Sequence, residues 1–272
     1  MLKSLIKIIL ILLALLPFGT ELKAAEIRVP ENYKTITEAV ANSLPNDVIL
    51  VNDGIYNENL IISTPLSLKA LKGPESTIIN ANDKSKHSIT VLKTTDVAIS
   101  GFSITGSEKS GIFVSNSSNV TLTGNKTLYN NIGITLSHST NNTLKENEAN
   151  HNIGYGIYLD NSNGNLIENN SASRNEDKGF FVSMSNENTI INNNVNLNAW
   201  DGIMLWSSNR NIIHENRTLR NTYGLVISES TENDVADNTT LPNIFIIMPI
   251  ILLYLGIISY WVQKNILRLI YK

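Results

Sequence analysis

The sequence contains no cysteine among its 272 residues. Disulfide bonds, cysteine-ligated zinc or iron–sulfur centres and a cysteine nucleophile are therefore excluded. The net charge is also small, at −3, and no cluster of Lys and Arg stands out along the chain. Nucleic acid, which requires a basic surface, is not expected as a partner.

Long hydrophobic runs occur only near the two ends of the chain. Residues 1–25 have Lys3 and Lys7, an apolar run and then small residues, which is typical of a secretory signal peptide. An uncleaved anchor fits the same pattern. Residues 244–262 form an uncharged run that basic residues follow, which predicts a transmembrane helix and a cytoplasmic tail over 263–272. We therefore expect a membrane anchor at the C-terminus and an extracellular or periplasmic body.

A repeat of 22 to 23 residues dominates the chain between these ends. Its most regular coils begin at Gly111, Gly133, Gly156, Gly179, Gly202 and Gly224. Apolar residues alternate directly after each glycine, which predicts a short strand with one buried face. Because such strands bury too little surface alone, they are expected to stack as the coils of a solenoid.

Polar residues recur in the same register. Serine lies six positions after each glycine and asparagine fourteen positions after it, and the first five coils add an asparagine at position nineteen. Stacked asparagines form hydrogen-bonded ladders, and Gly and Asn accept the positive φ of tight corners. We predict an all-β fold, a right-handed parallel β-helix over residues 46–240, with an N-terminal cap over 26–45 that includes a short helix.

The opening of this region resembles a known family. The stretches that carry the resemblance begin with Ile27-Arg-Val-Pro, Asn46-Asp-Val-Ile-Leu-Val and Gly54-Ile-Tyr. With the later coils, they resemble the NosD-like, pectin-lyase-like β-helix proteins over roughly residues 26–240. That group includes carbohydrate-cleaving enzymes, carbohydrate binders, surface proteins and a periplasmic copper-linked factor for nitrous oxide reductase maturation. The resemblance implies the β-helix fold, but a shared fold does not select among these activities.

Acidic residues are the first candidates for catalysis. Glycoside hydrolysis uses two carboxyl groups about 5–9.5 Å apart, which in a solenoid requires neighbouring coils. Asp177 and Asp201 share a loop region one coil apart and are weak candidates for a polysaccharide lyase or glycoside hydrolase. Solvated loop charges are the alternative interpretation. The arginine-and-calcium pattern that the resemblance implies for a lyase is not recognisable in any coil, so the sequence favours a non-catalytic module.

Histidine is too scattered to predict a metal site. The chain has His87, His138, His151 and His214, and the last three occupy different columns of the repeat. His138 and Met184 share a column two coils apart, roughly 10 Å by strand spacing, which is too far for one ion. We predict no metal and no cofactor, and the NosD-like copper-linked role remains a third alternative.

The most suggestive surface is aromatic. The residue two positions after each glycine should point outward, and with its neighbours it makes an apolar stripe typical of an interaction site. This candidate carbohydrate-binding set is Tyr155, Tyr158, Asp160, Phe181, Trp200, Met204 and Trp206. Strand propensity is the alternative explanation. The predicted function is a membrane-anchored, non-catalytic binding or structural module at the cell surface, with a polysaccharide or surface protein as partner.

Sequons for N-glycosylation also recur in the coils. Asn116, Asn141 and Asn169 each begin an Asn-x-Ser/Thr pattern and fall outside the asparagine columns, so they are the predicted acceptors. Chance is a competing explanation, because repeats rich in Asn, Ser and Thr generate sequons freely. The sequons in the ladder column are predicted to be inaccessible, and they begin at Asn125, Asn216 and Asn238.

Overall fold

The chain folds as a right-handed parallel β-solenoid of about nine coils, which confirms the predicted fold class. The structure is a computed structural model that describes residues 24–242 and 244–270. The predicted signal peptide lies outside the described residues up to position 23. Each coil passes through three parallel sheets in turn, so that every strand position stacks on its equivalent in the next coil.

Sheet 1 has ten strands and sheet 2 has eight. Sheet 1 comprises β1 (Glu26–Val29), β2 (Asp47–Val51), β5 (Leu66–Ala70), β8 (Ala98–Ser100), β11 (Thr121–Thr123), β14 (Thr143–Lys145), β16 (Leu166–Glu168), β18 (Thr189–Ile191), β20 (Ile212–His214) and β23 (Asp234–Ala236). Sheet 2 comprises β4 (Leu60–Ile62), β7 (Ile89–Leu92), β10 (Ser110–Ser115), β13 (Ile132–Ser137), β15 (Ile157–Asp160), β17 (Phe180–Ser183), β19 (Asp201–Trp206) and β22 (Tyr223–Ser228).

The third face is less regular. Its strands are β3 (Gly54–Asn57), β6 (Thr77–Asn80), β9 (Ser103–Thr105), β12 (Lys126–Leu128), β21 (Arg217–Asn221) and β24 (Thr239–Pro242). Between β12 and β21, single parallel bridges through Glu148, Ser171 and Asn194 continue the stack. The core fills the space between the three faces with aliphatic side chains, and Phe102 and Phe180 are its largest buried members.

The recurring glycines have a different role from the one predicted. A Cβ added at Gly156 would lie 2.7 Å from the carbonyl oxygen of Gly179 and 2.8 Å from Nδ2 of Asn175, so close packing between coils requires glycine there. Positive φ occurs instead at the residue before a ladder asparagine, as at Glu146, with φ of 56°, before Asn147. The prediction that the column residues themselves occupy the left-handed corners was wrong, because the corner precedes the inward-pointing side chain.

Three asparagine ladders run along the solenoid, and the two predicted ones are confirmed. The first joins Asn125, Asn147, Asn170, Asn193, Asn216 and Asn238 through Nδ2-to-Oδ1 bonds of 2.9–3.1 Å. The second runs through Asn130, Asn152, Asn175, Asn198 and Asn221. The third was not predicted and joins Asn142, Asn165, Asn188, Asn211 and Asn233 at 2.9–3.0 Å. Its members lie nine positions after each glycine from Gly133 onward, so the spacing in the sequence could have predicted this ladder as well.

The N-terminal end of the solenoid is covered by a short helix, α1 (Ile36–Asn42). The Thr35 side chain accepts a hydrogen bond from the Glu38 N–H as its N-cap, and Ile36 and Ala39 are buried. The cap also contributes β1, which pairs with β2 so that Ile27 lies beside Ile49. This strand was not predicted, since the predicted solenoid starts at residue 46.

The C-terminal segment is helical as α2 (Ile244–Ile270). No helix within the described residues is long and apolar enough to span a membrane. The predicted transmembrane helix over 244–262 is therefore not supported, and neither are the membrane anchor and the cytoplasmic tail that depended on it.

Candidate functional site

The outer face of sheet 2 carries most of the residues predicted to bind carbohydrate. Side chains alternate across a strand, so every second residue of β15, β17 and β19 points outward. The register pairs Tyr158 with Phe181 and Phe181 with Met204, which places these side chains in one row along the solenoid axis. Asp160 and Trp206 lie in a second row, two coils apart.

Three aromatic residues of this face form the aromatic cluster, Tyr155, Tyr158 and Phe181. The rings of Tyr158 and Phe181 stack with centroids 5.2 Å apart and planes 7° apart. Tyr155 is tilted against both, 5.5 Å from Tyr158 and 5.2 Å from Phe181. Burial raises the pKa of both tyrosines, so their hydroxyl groups stay protonated at neutral pH. The cluster is a half-buried apolar surface with hydroxyl groups at its edge, suited to the C–H face of a sugar ring.

Lys178 joins the aromatic cluster to the predicted acidic pair. Its Nζ lies 2.8 Å from Oδ1 of Asp177 and 3.9 Å from Oδ2 of Asp201. The same atom lies 5.6 Å from the ring centroid of Tyr155 and 5.7 Å from that of Phe181. The structure thus brings the two aspartates to one cation. Lys178 was not predicted as a site residue, because its contacts with Tyr155 and Asp201 cross between coils.

The environment of Asp201 differs from that of an ordinary surface carboxylate. Its side chain is 10 % exposed. Burial raises its pKa, while the nearby Lys178 charge lowers it and the Asp177 charge raises it. A carboxyl group with a raised pKa retains its proton to higher pH, so a larger fraction of it is available as a general acid than for an exposed aspartate.

A cavity of about 260 Å³ opens on the same outer face, on the N-terminal side of the aromatic cluster. Its lining includes His87, Lys109, Phe113, Ser137, Tyr158 and Asp160. The His87 ring stacks on Phe113 at 4.2 Å, and its Nδ1 accepts a hydrogen bond from the Ser110 N–H at 3.1 Å. Burial and then the Lys109 charge lower the pKa of His87 to about 4, so the imidazole is neutral at pH 7. From the sequence, His87 was weighed only as a metal ligand and Lys109 was not predicted as a site residue, because both lie outside the strands that carry the aromatic residues.

The two tryptophans of the predicted set lie apart from this cluster. Trp200 is 57 % exposed and Trp206 is 37 % exposed. Among the described residues, the ring contacts of the cluster involve Tyr155, Tyr158 and Phe181 and neither tryptophan. They extend the face toward the C-terminal coils without joining its packed centre.

The predicted glycosylation acceptors all lie on the surface. Asn116, Asn141 and Asn169 are exposed, and each has a positive φ at a corner between sheets. By contrast, Asn125 and Asn216 in the first ladder are 0 % and 1 % exposed, whereas Asn238, also predicted to be inaccessible, is only half-buried.

Comparison with known proteins agrees with this architecture. Residues 37–247 match the protein family described as periplasmic copper-binding protein (NosD). The chain belongs to the NosD family. A cell surface glycoprotein of Methanothermus fervidus is 34 % identical to this NosD-family chain over 123 residues, which are 43 % of the chain and 20 % of the relative. The chain therefore spans about one fifth of the length of that relative.

Solved structures similar to the NosD-family chain are also β-helix proteins. The A-module of the mannuronan C-5 epimerase AlgE4 of Azotobacter vinelandii has a TM-score of 0.59 and 16 % identity, covering 74 % of this chain and 70 % of that one. The catalytic domain of a GH87 α-1,3-glucanase in complex with nigerose has a TM-score of 0.61 and 17 % identity, covering 76 % and 45 %. At these identities the similarity shows the fold alone.

The residues that the structure describes in this NosD-family chain do not fit a copper site. Copper in proteins is bound by imidazole, thiolate and thioether groups. The sequence has no cysteine, and residues 24–242 and 244–270 contain no group of three or more His, Cys, Asp or Glu side chains that could hold a metal ion. His87 stacks on Phe113 and His151 stacks on Tyr129, at separate places on the solenoid.

Proposed function

We propose that this chain is an extracellular or periplasmic β-helix module that binds a polysaccharide along the outer face of sheet 2, without cleaving it. The observation that carries the proposal is the aromatic cluster with Lys178, Asp177 and Asp201 at its edge. Binding sites for small ligands and sugar units combine an apolar surface with a few fixed polar groups. The stacked coils repeat about every 4.8 Å, which provides an elongated surface for a chain-like ligand.

The comparisons support this proposal in two ways. The Methanothermus fervidus relative is named a cell surface glycoprotein, which agrees with an extracytoplasmic location. The similar solved structures are named for action on mannuronan and on α-1,3-glucan, which supports a polysaccharide as the proposed ligand. A binding role requires the aromatic surface and polar edge that this chain has, and does not require a full catalytic set.

Binding is tested with alginate, an α-1,3-glucan and a printed glycan array. We expect the chain to bind at least one of these probes, and Tyr158→Ala to weaken binding about tenfold or more, because truncating a central aromatic contact costs on the order of 1.4 kcal/mol or more. Tyr129→Ala is the matched control, since Tyr129 is exposed but stacks on His151 instead. Binding to none of the probes, or equal weakening by both variants, would overturn the proposal.

A second candidate function is a polysaccharide lyase or hydrolase that uses Asp177 and Asp201. The observation in its favour is the raised pKa of the buried Asp201 carboxyl beside the Lys178–Asp177 pair. It predicts release of reducing or unsaturated ends from the bound polysaccharide, lost in Asp201→Asn and kept in Glu176→Gln, which alters an exposed neighbour. Absence of product from the unmodified protein, or full turnover by Asp201→Asn, rules this candidate out.

A further inference from the structure

We infer that the chain carries N-linked glycans at the corner between sheets 2 and 1, on Asn116, Asn119 and Asn141, with a further acceptor at Asn169. The Asn119-Val-Thr sequon adds a fourth exposed acceptor to the three predicted ones. Asn119, like the other three acceptors, is exposed and has a positive φ. All four lie between strands, at corners of the coils.

The folded structure separates usable sequons from unusable ones. Nδ2 of Asn125 donates to the Ile99 carbonyl at 2.9 Å and to Oδ1 of Asn147 at 3.1 Å inside the core. Nδ2 of Asn216 is held in the same way by Ile190 and Asn238. A transferase cannot reach these nitrogens without breaking the ladder.

The side-chain nitrogens of the exposed acceptors are held outside the ladders, by a part-buried hydrogen bond at Asn116 and an exposed one at Asn119. Nδ2 of Asn116 donates to Oγ of Ser115 at 2.9 Å, and Nδ2 of Asn119 donates to Oδ1 of Asp96 at 3.2 Å. Hydrogen bonds at exposed positions exchange readily with water and contribute little net stability. These nitrogens are therefore available for modification on the folded chain.

The proposed reaction transfers a glycan to the asparagine from a lipid-phosphate-linked glycosyl donor. A bond forms between Nδ2 and the anomeric carbon of the sugar, while the bond between that carbon and the phosphate oxygen breaks. Nδ2 loses one proton, and the lipid phosphate leaves with the bonding electron pair. The hydroxyl of the third sequon residue must also be accessible, and Thr121 in the Asn119 sequon is exposed.

The register of the coils makes two of the acceptors neighbours. Ser118 bridges to Thr140, and Thr121 pairs with Thr143, so Asn119 and Asn141 occupy the same position in adjacent coils. Adjacent parallel strands lie about 4.8 Å apart. Because Asn119 and Asn141 project from equivalent points one coil apart, glycans on both would compete for the same space, so occupancy at Asn119 and Asn141 should be mutually exclusive on one molecule.

The test is glycopeptide mass spectrometry on the full chain purified from its native host. We expect glycans at Asn116 and Asn169, at either Asn119 or Asn141 in each molecule, and none at Asn125 or Asn216. Thr143→Val removes the Asn141 sequon while keeping a β-branched side chain in β14, and it should raise occupancy at Asn119 by twofold or more. Thr189→Val, a matched change in β18 outside any sequon, should leave occupancy unchanged.

Unmodified asparagine at all four exposed sites, or a glycan at Asn125 or Asn216, would overturn this inference. Double occupancy of Asn119 and Asn141 on one molecule would overturn the steric part of it. Circular dichroism of Thr143→Val shows whether the solenoid is intact, and Asn141→Gln repeats the test from the other residue of the sequon. The outcome is independent of polysaccharide binding, which is measured on the sheet 2 face.

Discussion

The side chain of Asn170 satisfies two donors of Asn147 in the coil before it. Its Oδ1 accepts from the backbone N–H of Asn147 at 2.9 Å and from Nδ2 of Asn147 at 3.0 Å. Its own Nδ2 donates to the Leu144 carbonyl at 2.8 Å and to Oδ1 of Asn193 at 3.1 Å. Both asparagines are buried, so in this ladder one carboxamide per coil provides partners for backbone groups at the corner.

Asn170→Ala should lower the free energy of unfolding by about 2–4 kcal/mol. Several buried polar groups lose their hydrogen-bond partners, at a cost of about 1–3 kcal/mol each, and water that enters the site replaces some of these partners. Urea unfolding followed by circular dichroism measures the change. Asn131→Ala is the control, since Asn131 is half-buried and lies outside the three ladders. Equal losses in the two variants would contradict the structural role of the ladder.

Gly179→Ala should destabilise the chain by about 1–3 kcal/mol through overpacking between coils. The new Cβ would lie 2.7 Å from the Gly202 carbonyl oxygen and 2.7 Å from Nδ2 of Asn198, and neither atom can move without disturbing the stack. Gly256→Ala in α2 is the comparison, since no atom lies within 4 Å of the added Cβ. Thermal unfolding of both variants measures the difference, and a Gly179→Ala midpoint equal to the unmodified one would refute the steric argument.

His87 should titrate with a pKa of about 4 in the folded chain, below its ordinary value of 6.5. Between these two values the unfolded chain binds more protons than the folded chain, so the contribution of His87 makes the free energy of unfolding rise with pH across that window. NMR titration of the imidazole C–H signals measures the value.

Lys109→Met should raise the pKa of His87, because the Lys109 charge is the second cause of the depression after burial. Lys145→Met serves as its control, since Lys145 pairs with Glu168 on sheet 1. A His87 pKa near 6.5 in the unmodified chain would show that the imidazole is not desolvated against Phe113.

Much of the architecture follows from local spacing. The 22-to-23-residue period, the inward aliphatic positions such as Ile112 and Val114, and the ladder column of Asn147 and Asn170 are all visible in one dimension. Each coil repeats the same local chemistry, so aligned columns translate directly into stacked neighbours. The third ladder through Asn165 was equally visible and was overlooked.

The candidate site was only partly predictable. The outward row of Tyr158 and Phe181 follows from strand alternation, whereas the position of Lys178 between Asp177 and Asp201 depends on how side chains cross from one coil to the next. The cavity beside His87 and Lys109 is lined by residues from several coils, and no sequence pattern predicts how these residues pack together.

Sequence periodicity alone therefore establishes the solenoid, its core columns and two of its asparagine ladders, because each depends on residues at a constant offset. Only the tertiary structure shows that the glycines allow close contacts between coils and that residues with positive φ precede the ladder asparagines. It also distinguishes buried sequons such as Asn125 from exposed ones such as Asn116. These features depend on distances between coils and on solvent access, and a linear pattern contains neither quantity.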